Sequence, residues 1–251
     1  MSSTPEMRRL AALLPDIPRF LETRGMLLEG CDLLGLEEDT EGPSFVVRGL
    51  YPEGELVSVL GSPASGAIAE AVDRNGDSGA VIAMPENAPL VARAVPDWKM
   101  QPAILHLLGQ AGLQESPGTP EGEIRLLSDQ EESVVLPPVL QPDLRAELED
   151  ALRRGTPLAA MFVEDGPVSF CYVASETEGL WDVAIDTLDG HRRRGYAAWC
   201  AAFMVRHMYE TTGKDPVWGA LETNVASTSL VAKLGFVPVD RYFVLEPAGR
   251  G

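Results

Sequence analysis

The sequence predicts an α/β fold, an α+β arrangement in which helices alternate with the strands of a mixed central sheet. Residues 123–246 give the order strand, helix, three strands, helix, strand, helix, strand. Hydrophobic residues make up 45% of the chain and aromatic residues 6%, a composition that suits an α/β protein. At 251 residues, the chain could form one large domain or two of ordinary size.

The first half alternates between short helices and strands. Residues 5–24 carry leucine and isoleucine at helical spacing, but Pro15 and Pro18 interrupt them, so we expect two short helices. Ser62 and Pro63 favour the start of another helix, which ends near Val72. Apolar runs between turn signals predict strands at 45–50, 55–60, 80–84 and 98–108, with a further helix at 87–95.

A polar segment at residues 114–122, rich in proline and glycine, is the best candidate for a linker. It predicts an N-terminal α/β domain over residues 1–113 and a second domain over residues 123–251. In the second domain, strands are predicted at 123–127, 158–163, 168–174, 180–187, 217–221 and 242–245, and helices at 141–154, 192–210 and 226–234.

The strand-turn-helix segment at residues 180–198 has the features of an anion-binding site. An apolar strand ends near Thr187, and a polar turn, three arginines, Gly195 and a helix of small residues follow. A helix start leaves backbone N–H groups unpaired, and the helix dipole and the arginine charges attract an anion there. An ordinary strand-to-helix junction with a basic first turn would give the same pattern.

Two motifs of this region resemble those of the GCN5-related N-acetyltransferases. The spacing Arg192-x-x-Gly195-x-Ala197 is similar to the Gln/Arg-x-x-Gly-x-Gly/Ala signature with which that superfamily binds the pyrophosphate of acetyl-CoA. Asn224-Val-Ala-Ser227, with Lys233-Leu-Gly-Phe236 after it, is similar to a second family motif. One helix and one strand lie between the two motifs, as the family requires.

The resemblance covers residues 123–246, about half of the chain, and the hairpin at residues 163–171 also looks like the family's. More narrowly, the run from Ile185 to Ala197 resembles the branch that includes the zwittermicin-resistance type. The family relationship implies an acyl-CoA N-acyltransferase-like fold. It also implies transfer of the acetyl group of acetyl-CoA, a cosubstrate, to a primary amine of a small molecule or peptide.

The resemblance also implies roles for individual residues. The central strand would part from its neighbour, the pantetheine arm would lie in the gap, and the N–H of Ile185 would polarise the thioester carbonyl. Asn224 would fix the pantetheine or order its loop. The implied cofactor-binding residues are Ile185, Asp186, Thr187, Arg192, Arg193, Arg194, Gly195, Tyr196, Ala197, Ala198 and Asn224.

The acid and base of the reaction are less clearly indicated. Many family members place a tyrosine seven residues after the asparagine as general acid, but this position is Val231. Ser227 or a water molecule could substitute for it. Candidate bases are Asp182, Asp186 and Glu222, and each of them could instead be a solvated or ion-paired carboxylate.

Composition excludes several classes of partner. The formal net charge of −18 argues against nucleic acid and favours a cationic ligand, although acidity also keeps proteins in solution. No apolar run approaches the roughly 20 residues that a membrane span needs, so no membrane partner is expected.

A cytoplasmic location is predicted from the N-terminus and the cysteines. The first residues lack the basic and apolar regions of a signal peptide. Cys31, Cys171 and Cys200 are widely spaced in apolar surroundings and read as reduced thiols. No metal-ligand spacing occurs.

The first half has a faint likeness to the second. Residues 90–94, Leu-Val-Ala-Arg-Ala, match the pattern at residues 230–234, and the strand-turn-helix at 55–72 mirrors that at 182–201. One hypothesis is a degenerate second copy of the fold. It would not bind CoA, because residues 62–66 include no basic side chain. The other is that α/β halves share such patterns by chance.

Two other functions stay open at this point. The replacement of the tyrosine by Val231 is compatible with a CoA-binding sensor or scaffold that has little or no catalysis. A nucleotide-phosphate enzyme could use the same helix start, but the chain lacks the Gly-Lys-Ser/Thr of a P-loop.

Overall fold

The computed structural model describes residues 2–39, 42–51, 54–75, 79–114, 122–127, 136–164 and 166–248. The chain divides into two compact units: Met1–Leu105, Ala220–Thr223 and Val239–Gly251 form the first, and His106–Gly219 and Asn224–Pro238 form the second. The domain boundaries expected from the sequence stay a prediction, and residues 115–121 of the expected linker lie outside the described residues. Among the described helices, none has the length and apolar character that a membrane crossing requires.

The elements of the first half begin with two helices, α1 (Pro5–Leu13) and α2 (Leu21–Glu29), with a 3-10 turn at Pro18–Phe20 between them. Three strands follow: β1 (Asp32–Asp39), β2 (Gly42–Tyr51) and β3 (Gly54–Leu60). The remaining elements are α3 (Ser65–Asn75), β4 (Gly79–Ala83), α4 (Ala88–Ala94) and β5 (Trp98–Leu108).

The second half starts with β6 (Glu123–Leu127), α5 (Pro142–Arg154), β7 (Leu158–Val163), β8 (Gly166–Glu176) and β9 (Leu180–Thr187). A 3-10 turn at Asp189–His191 leads into α6 (Tyr196–Thr212). The chain then forms β10 (Asp215–Leu221), α7 (Val225–Lys233) and β11 (Phe236–Pro247).

Each unit contains a mixed sheet with helices between its strands, which confirms the predicted fold class. In the first unit the strands run β1-β2-β3-β4-β11, with β3 and β4 parallel and the other pairs antiparallel. In the second they run β6-β7-β8-β9-β10, with only β9 and β10 parallel. The order β1-β2-β3-α3-β4-α4-β5 repeats as β7-β8-β9-α6-β10-α7-β11. The repeated order supports the hypothesis of two copies of one fold.

Helices bury apolar side chains against both faces of the first unit's sheet. Ile68 of α3 and Val91 of α4 pack with Val57 and Val81, whereas α1 and α2 pack on a second cluster around Phe45. In the second unit, Leu148 and Ala151 of α5 pack against Phe170 and Tyr172. Burying side chains of this size stabilises each layer by about 1.5–3 kcal/mol per side chain.

Strand β11 begins at Phe236 and not at Tyr242, and two other elements also differ from the sequence-based expectation. Strand β1 was not expected, because its pairing with β2 shifts between Leu34 and Glu37 and this breaks the alternation of apolar and polar residues. Helix α6 begins at Tyr196 and not at Arg192, because Arg193 and Gly195 have φ angles of 63° and 87°, which a right-handed helix does not allow.

Candidate functional site

Strands β9 and β10 part soon after they begin to pair. In the described residues, their ladder consists of Leu180 with Asp215, Trp181 with Pro216 and Asp182 with Val217. Where the ladder ends, the backbone N–H groups of Gly219 and Val183 act on the carboxylate of Asp182 and lower its pKa, while burial raises it. Asp182, expected as a candidate base, therefore lies against the backbone at the point where the two strands separate.

The backbone of Ile185 points into the gap beyond this point. In an antiparallel ladder, successive residues direct their N–H and C=O groups alternately toward the neighbouring strand and away from it. The N–H of Leu188 donates to the carbonyl of Val168 at 2.9 Å, and Asp186 pairs with Phe170 two residues away. Because Leu188 and Asp186 therefore point toward β8, the N–H of Ile185 points to the opposite edge of β9.

Thr187 lies on the same edge but its N–H is not free. It donates to the carboxylate Oδ1 of the neighbouring Asp186 at 2.6 Å. The hydroxyl of Ser169 holds the strand end from the other side, with its Oγ 2.9 Å from the carbonyl of Asp186 and 2.7 Å from the Thr187 hydroxyl. Ile185 is thus the residue of the strand end whose N–H remains available to a ligand.

Backbone N–H groups converge at the start of α6. The first helical hydrogen bond there runs from the N–H of Trp199 to the carbonyl of Gly195, at 3.2 Å. Among the described residues, the backbone N–H groups of residues 193–198 donate a hydrogen bond to no backbone carbonyl in a turn, loop or cap. A Cβ placed on Gly195 would meet no atom within 4 Å, so the space above these amides is open. Open backbone N–H groups at a helix start are suited to binding an anion.

The three arginines of this loop have different surroundings. Arg192 donates through Nε to the carbonyl of Thr187 at 3.1 Å, and its Nη2 lies 3.2 Å from the carboxylate of Asp189. Arg193 and Arg194 are exposed, and no carboxylate of the described residues lies within 4 Å of them. Arg192 therefore holds the loop to the end of β9, and the other two guanidinium groups are available to an anion.

A buried nitrogen lies next to these arginines. The Nδ1 atom of His191 is buried without a hydrogen-bond partner among the described residues, and the His191 ring centroid lies 6.4 Å from that of Tyr196. An unpaired buried nitrogen in this loop is consistent with a ligand or water that completes it.

The second motif forms the start of α7. The side chain of Asn224 accepts the N–H of Ser227 at 3.1 Å, which makes it the helix N-cap. The hydroxyl oxygen of Ser227 accepts the indole N–H of the buried Trp218 at 3.0 Å. Val231, at the position of the family tyrosine, is 1% exposed. Ser227 still has its own hydroxyl proton to donate.

Glu222, the third candidate for acid–base chemistry, belongs to the first unit. Its side chain is exposed, and its N–H donates to the carbonyl of Pro102 at 2.9 Å. Its catalytic role stays a prediction. Within the described residues, no cluster of His, Cys, Asp or Glu side chains is arranged to hold a metal ion.

The sequence analysis did not identify Glu147 and Tyr172, a pair that meets between α5 and the sheet of the second unit. The Tyr172 hydroxyl donates to the carboxylate of Glu147, and Tyr172 pairs across the ladder with Ala184, next to Ile185. Burial raises the pKa of Glu147, the Tyr172 hydrogen bond lowers it, and the charges of Asp186 and Asp143 raise it. The available signal was that Glu147 lies between Leu144 and Ala151 on the core side of α5.

The corresponding region of the first unit is closed. Strands β3 and β4 pair without interruption from Glu55 with Gly79 to Val59 with Ala83. The buried Asn87 side chain donates to the carbonyls of Val59 at 2.8 Å and Gly61 at 3.2 Å. At the loop before α3, Ser44 accepts the N–H of Ser62 at 3.0 Å, and Pro63 has no N–H. Over the described residues of this unit, β3 and β4 therefore do not part.

We expect Asp182→Asn to remove a pH dependence of stability. Burial raises the pKa of Asp182 from its ordinary 3.8 to about 7, against the hydrogen bonds from Gly219 and Val183, which lower it. The folded state then binds the proton more tightly, so stability falls as pH rises from about 4 to about 7, by at most ~4 kcal/mol. Melting temperatures at pH 5 and pH 8 measure the loss.

The exposed Glu149→Gln variant is the control and should keep the wild-type difference between the two pH values. If Asp182→Asn melts with the same pH dependence as the wild type, the carboxylate of Asp182 does not hold its proton as described.

Comparison with known proteins gives a consistent picture. Residues 150–245 match the GNAT acetyltransferase family. No curated protein matches the chain by sequence. Among solved structures, the chain is similar to a GCN5-related N-acetyltransferase-like protein from Streptococcus suis, at 15% identity and a TM-score of 0.66, over 96% of this chain and 98% of that one.

Two further structures resemble the chain over nearly its whole length. A GCN5-related N-acetyltransferase from Kribbella flavida has 12% identity and a TM-score of 0.59, over 96% of this chain and 95% of that one. A tandem GNAT protein from the clavulanic acid biosynthesis pathway has 12% identity and a TM-score of 0.57, over 100% of this chain and 98% of its own. At these identities, the likeness shows the fold alone.

Proposed function

From the match of residues 150–245 to the GNAT acetyltransferase family, we propose that this chain transfers the acetyl group of acetyl-CoA to a primary amine. The observation that supports this most directly is the free N–H of Ile185 at the edge where β9 and β10 have parted. The open amides before and within the first turn of α6 lie on the same chain segment, ten residues further on.

The residues of the second unit fit such a cosubstrate. The N–H groups of residues 193–198, with the side chains of Arg193 and Arg194, would hold the diphosphate. The pantetheine arm would lie along the free edge of β9, with Asn224 near it. When bound, acetyl-CoA supplies an activated carbonyl group. The N–H of Ile185 would then stabilise the negative charge that develops on its oxygen.

Direct transfer, without a covalent enzyme intermediate, agrees with the state of the cysteines. Burial raises the pKa of Cys200 to about 12 and that of Cys171 well above its ordinary value. A thiol that stays protonated at neutral pH is a poor nucleophile. The leaving sulfur would take its proton from Ser227 or from water, because Val231 has none to give.

A second candidate function is a CoA-binding sensor or scaffold. The buried Val231 favours it, because loss of a general acid costs about 10²–10⁴ in rate. The narrower likeness to the zwittermicin-resistance branch, the identity of the acceptor and the cytoplasmic location remain predictions.

Calorimetric titration with acetyl-CoA, together with a thiol-release assay over a panel of primary amines, tests the proposal. We expect one CoA per chain, since the first unit is closed, and release of CoA thiol only when an amine is present. Tight binding without thiol release would support the sensor, and no binding would contradict both. Two CoA molecules per chain would contradict the assignment of a closed first unit.

A further inference from the structure

Two side chains meet on the α5 face of the second unit's sheet, where Tyr172 of β8 lies opposite Ala184, the residue before Ile185. Tyr172, 6% exposed, donates its hydroxyl proton to the carboxylate of Glu147 from α5. Neither residue belongs to the anion-binding loop or to the second motif. The buried hydroxyl of Tyr172 needs one hydrogen-bond partner. The apolar core around it does not require this partner to be a half-buried glutamate, because burying a carboxylate costs free energy.

The two faces of β9 differ in what covers them. Side chains alternate along a strand, so Ala184 and Asp186 share one face and Val183 and Ile185 the other. Ala184 packs in the cluster of α5, whereas α6 packs against the opposite face. Asp186 and Ala184 are only half-buried, so the α5 face at the end of β9 is accessible next to Ile185.

The candidate bases expected from the sequence are engaged elsewhere or stand apart. Asp182 lies against the backbone N–H groups of Gly219 and Val183 where the ladder ends, and Glu222 is an exposed residue of the first unit. Asp186 binds the N–H of Thr187. Glu147 has its hydrogen bond from Tyr172, and its remaining lone pairs are available to a second donor.

We propose that Glu147, oriented by Tyr172, receives the acceptor as an ammonium ion and takes its proton, so that the acceptor attacks from the α5 face of β9. This inference rests on the proposed function and names its acceptor class, a primary alkylammonium. Asp186 and Asp143, whose charges act on Glu147, add negative charge on the same side. An ammonium group there has carboxylates as partners, whereas an anionic acceptor would be repelled.

The proton and electron balance of the step is simple. The ammonium group gives one proton to Glu147, and the freed nitrogen lone pair forms the C–N bond with the acetyl carbon. The C–S bond breaks, and its electron pair leaves with sulfur. The second proton lost by the nitrogen neutralises this thiolate through water, and Glu147 returns its proton to solvent.

The Tyr172 hydrogen bond provides a test that distinguishes a catalytic role of Glu147 from a purely structural one. Because the hydroxyl favours the ionised carboxylate, it lowers the pKa of Glu147, which burial and the charges of Asp186 and Asp143 raise. Replacing Tyr172 by phenylalanine should therefore shift the ionisation of Glu147 to higher pH. The acidic limb of the pH profile of kcat/KM should move in the same direction.

Three variants test the proposal: Glu147→Gln, Tyr172→Phe and, as the matched control on the exposed face of α5, Glu149→Gln. Each is measured by calorimetric titration with CoA, by kcat/KM across pH with a panel of primary alkylamines, and by ¹³C NMR titration of the glutamate carboxyl carbons. We expect Glu147→Gln to lose about 100-fold or more in kcat/KM and to bind CoA normally. Tyr172→Phe should move the NMR midpoint of Glu147 and the acidic limb upward, and Glu149→Gln should change neither.

The outcomes separate this proposal from the proposed function. A Glu147→Gln enzyme with the wild-type rate, or a Tyr172→Phe protein with unchanged midpoint and limb, contradicts this proposal only. If the wild type binds CoA and acetylates none of the amines, both proposals are contradicted, and if CoA does not bind, the function itself is wrong. Loss of CoA binding in Glu147→Gln would assign the residue to the fold and also overturn the proposal.

Discussion

Replacing Gly195 by valine should abolish the binding of CoA. The residue has a φ of 87°, and the space where its side chain would lie is empty to 4 Å, so a valine would occupy the place proposed for the diphosphate. We expect affinity to fall by more than about 100-fold. The stabilisation of ~2.7 kcal/mol that CoA gives at 100 times its Kd would then disappear. Thermal shift and calorimetry with CoA measure both effects.

Gly213→Val is the matched control, because Gly213 ends the same helix with a φ of 71° and also has open space around it. Both variants suffer the same type of backbone strain, about 1–2 kcal/mol, so a difference between them reports the ligand site. If both variants kept the CoA-induced shift, residues 193–198 would not hold the diphosphate.

Removing the two free arginines together should weaken CoA binding by about 100-fold or more. Hydrogen bonds to charged groups contribute about 1.5–3 kcal/mol each, and no described carboxylate within 4 Å competes for Arg193 or Arg194. The double variant Arg193→Ala, Arg194→Ala should also lose most of the salt dependence of binding, since charge attraction is screened by salt. Titrations with CoA at low and high salt measure this.

The control is Arg125→Ala, Arg153→Ala, which removes the same charge from exposed ion pairs with Glu123 and Asp150. It should keep nearly the wild-type affinity and salt dependence. Equal losses in the two double variants would mean that net charge and not the loop attracts the ligand.

Several features followed from local sequence alone. The Pro142 start and the Gly155 end of α5 are helix signals that depend on neighbouring residues only, and the strand β9 was predicted with its bounds. The amide-rich loop was also predictable, because Gly195 before a run of small residues leaves helix N–H groups open. In contrast, β1 was missed because its bulge near Gly35 is stabilised by pairing with β2, which local periodicity does not express.

The roles of the carboxylates depended on contacts between distant segments. Asp182, Asp186 and Glu222 look alike in the sequence, but Asp182 meets the N–H of Gly219 only because β9 and β10 run parallel for three residue pairs and then part. Glu147 meets Tyr172 only because α5 packs on β8. Asn87 and Asn224 both precede a helix. The side chain of Asn87 donates to the carbonyl of Val59 in β3, whereas that of Asn224 caps α7.

The sequence by itself determined the type and order of the elements, the two motifs and the helix start whose N–H groups are open. These depend on backbone preferences and side-chain spacing within a few residues. Tertiary structure alone decided which strands separate, which unit stays closed and which carboxylate meets Tyr172 on the α5 face of the sheet. Sheet register and helix packing fix those distances, because they bring together side chains whose separation along the chain carries no local pattern.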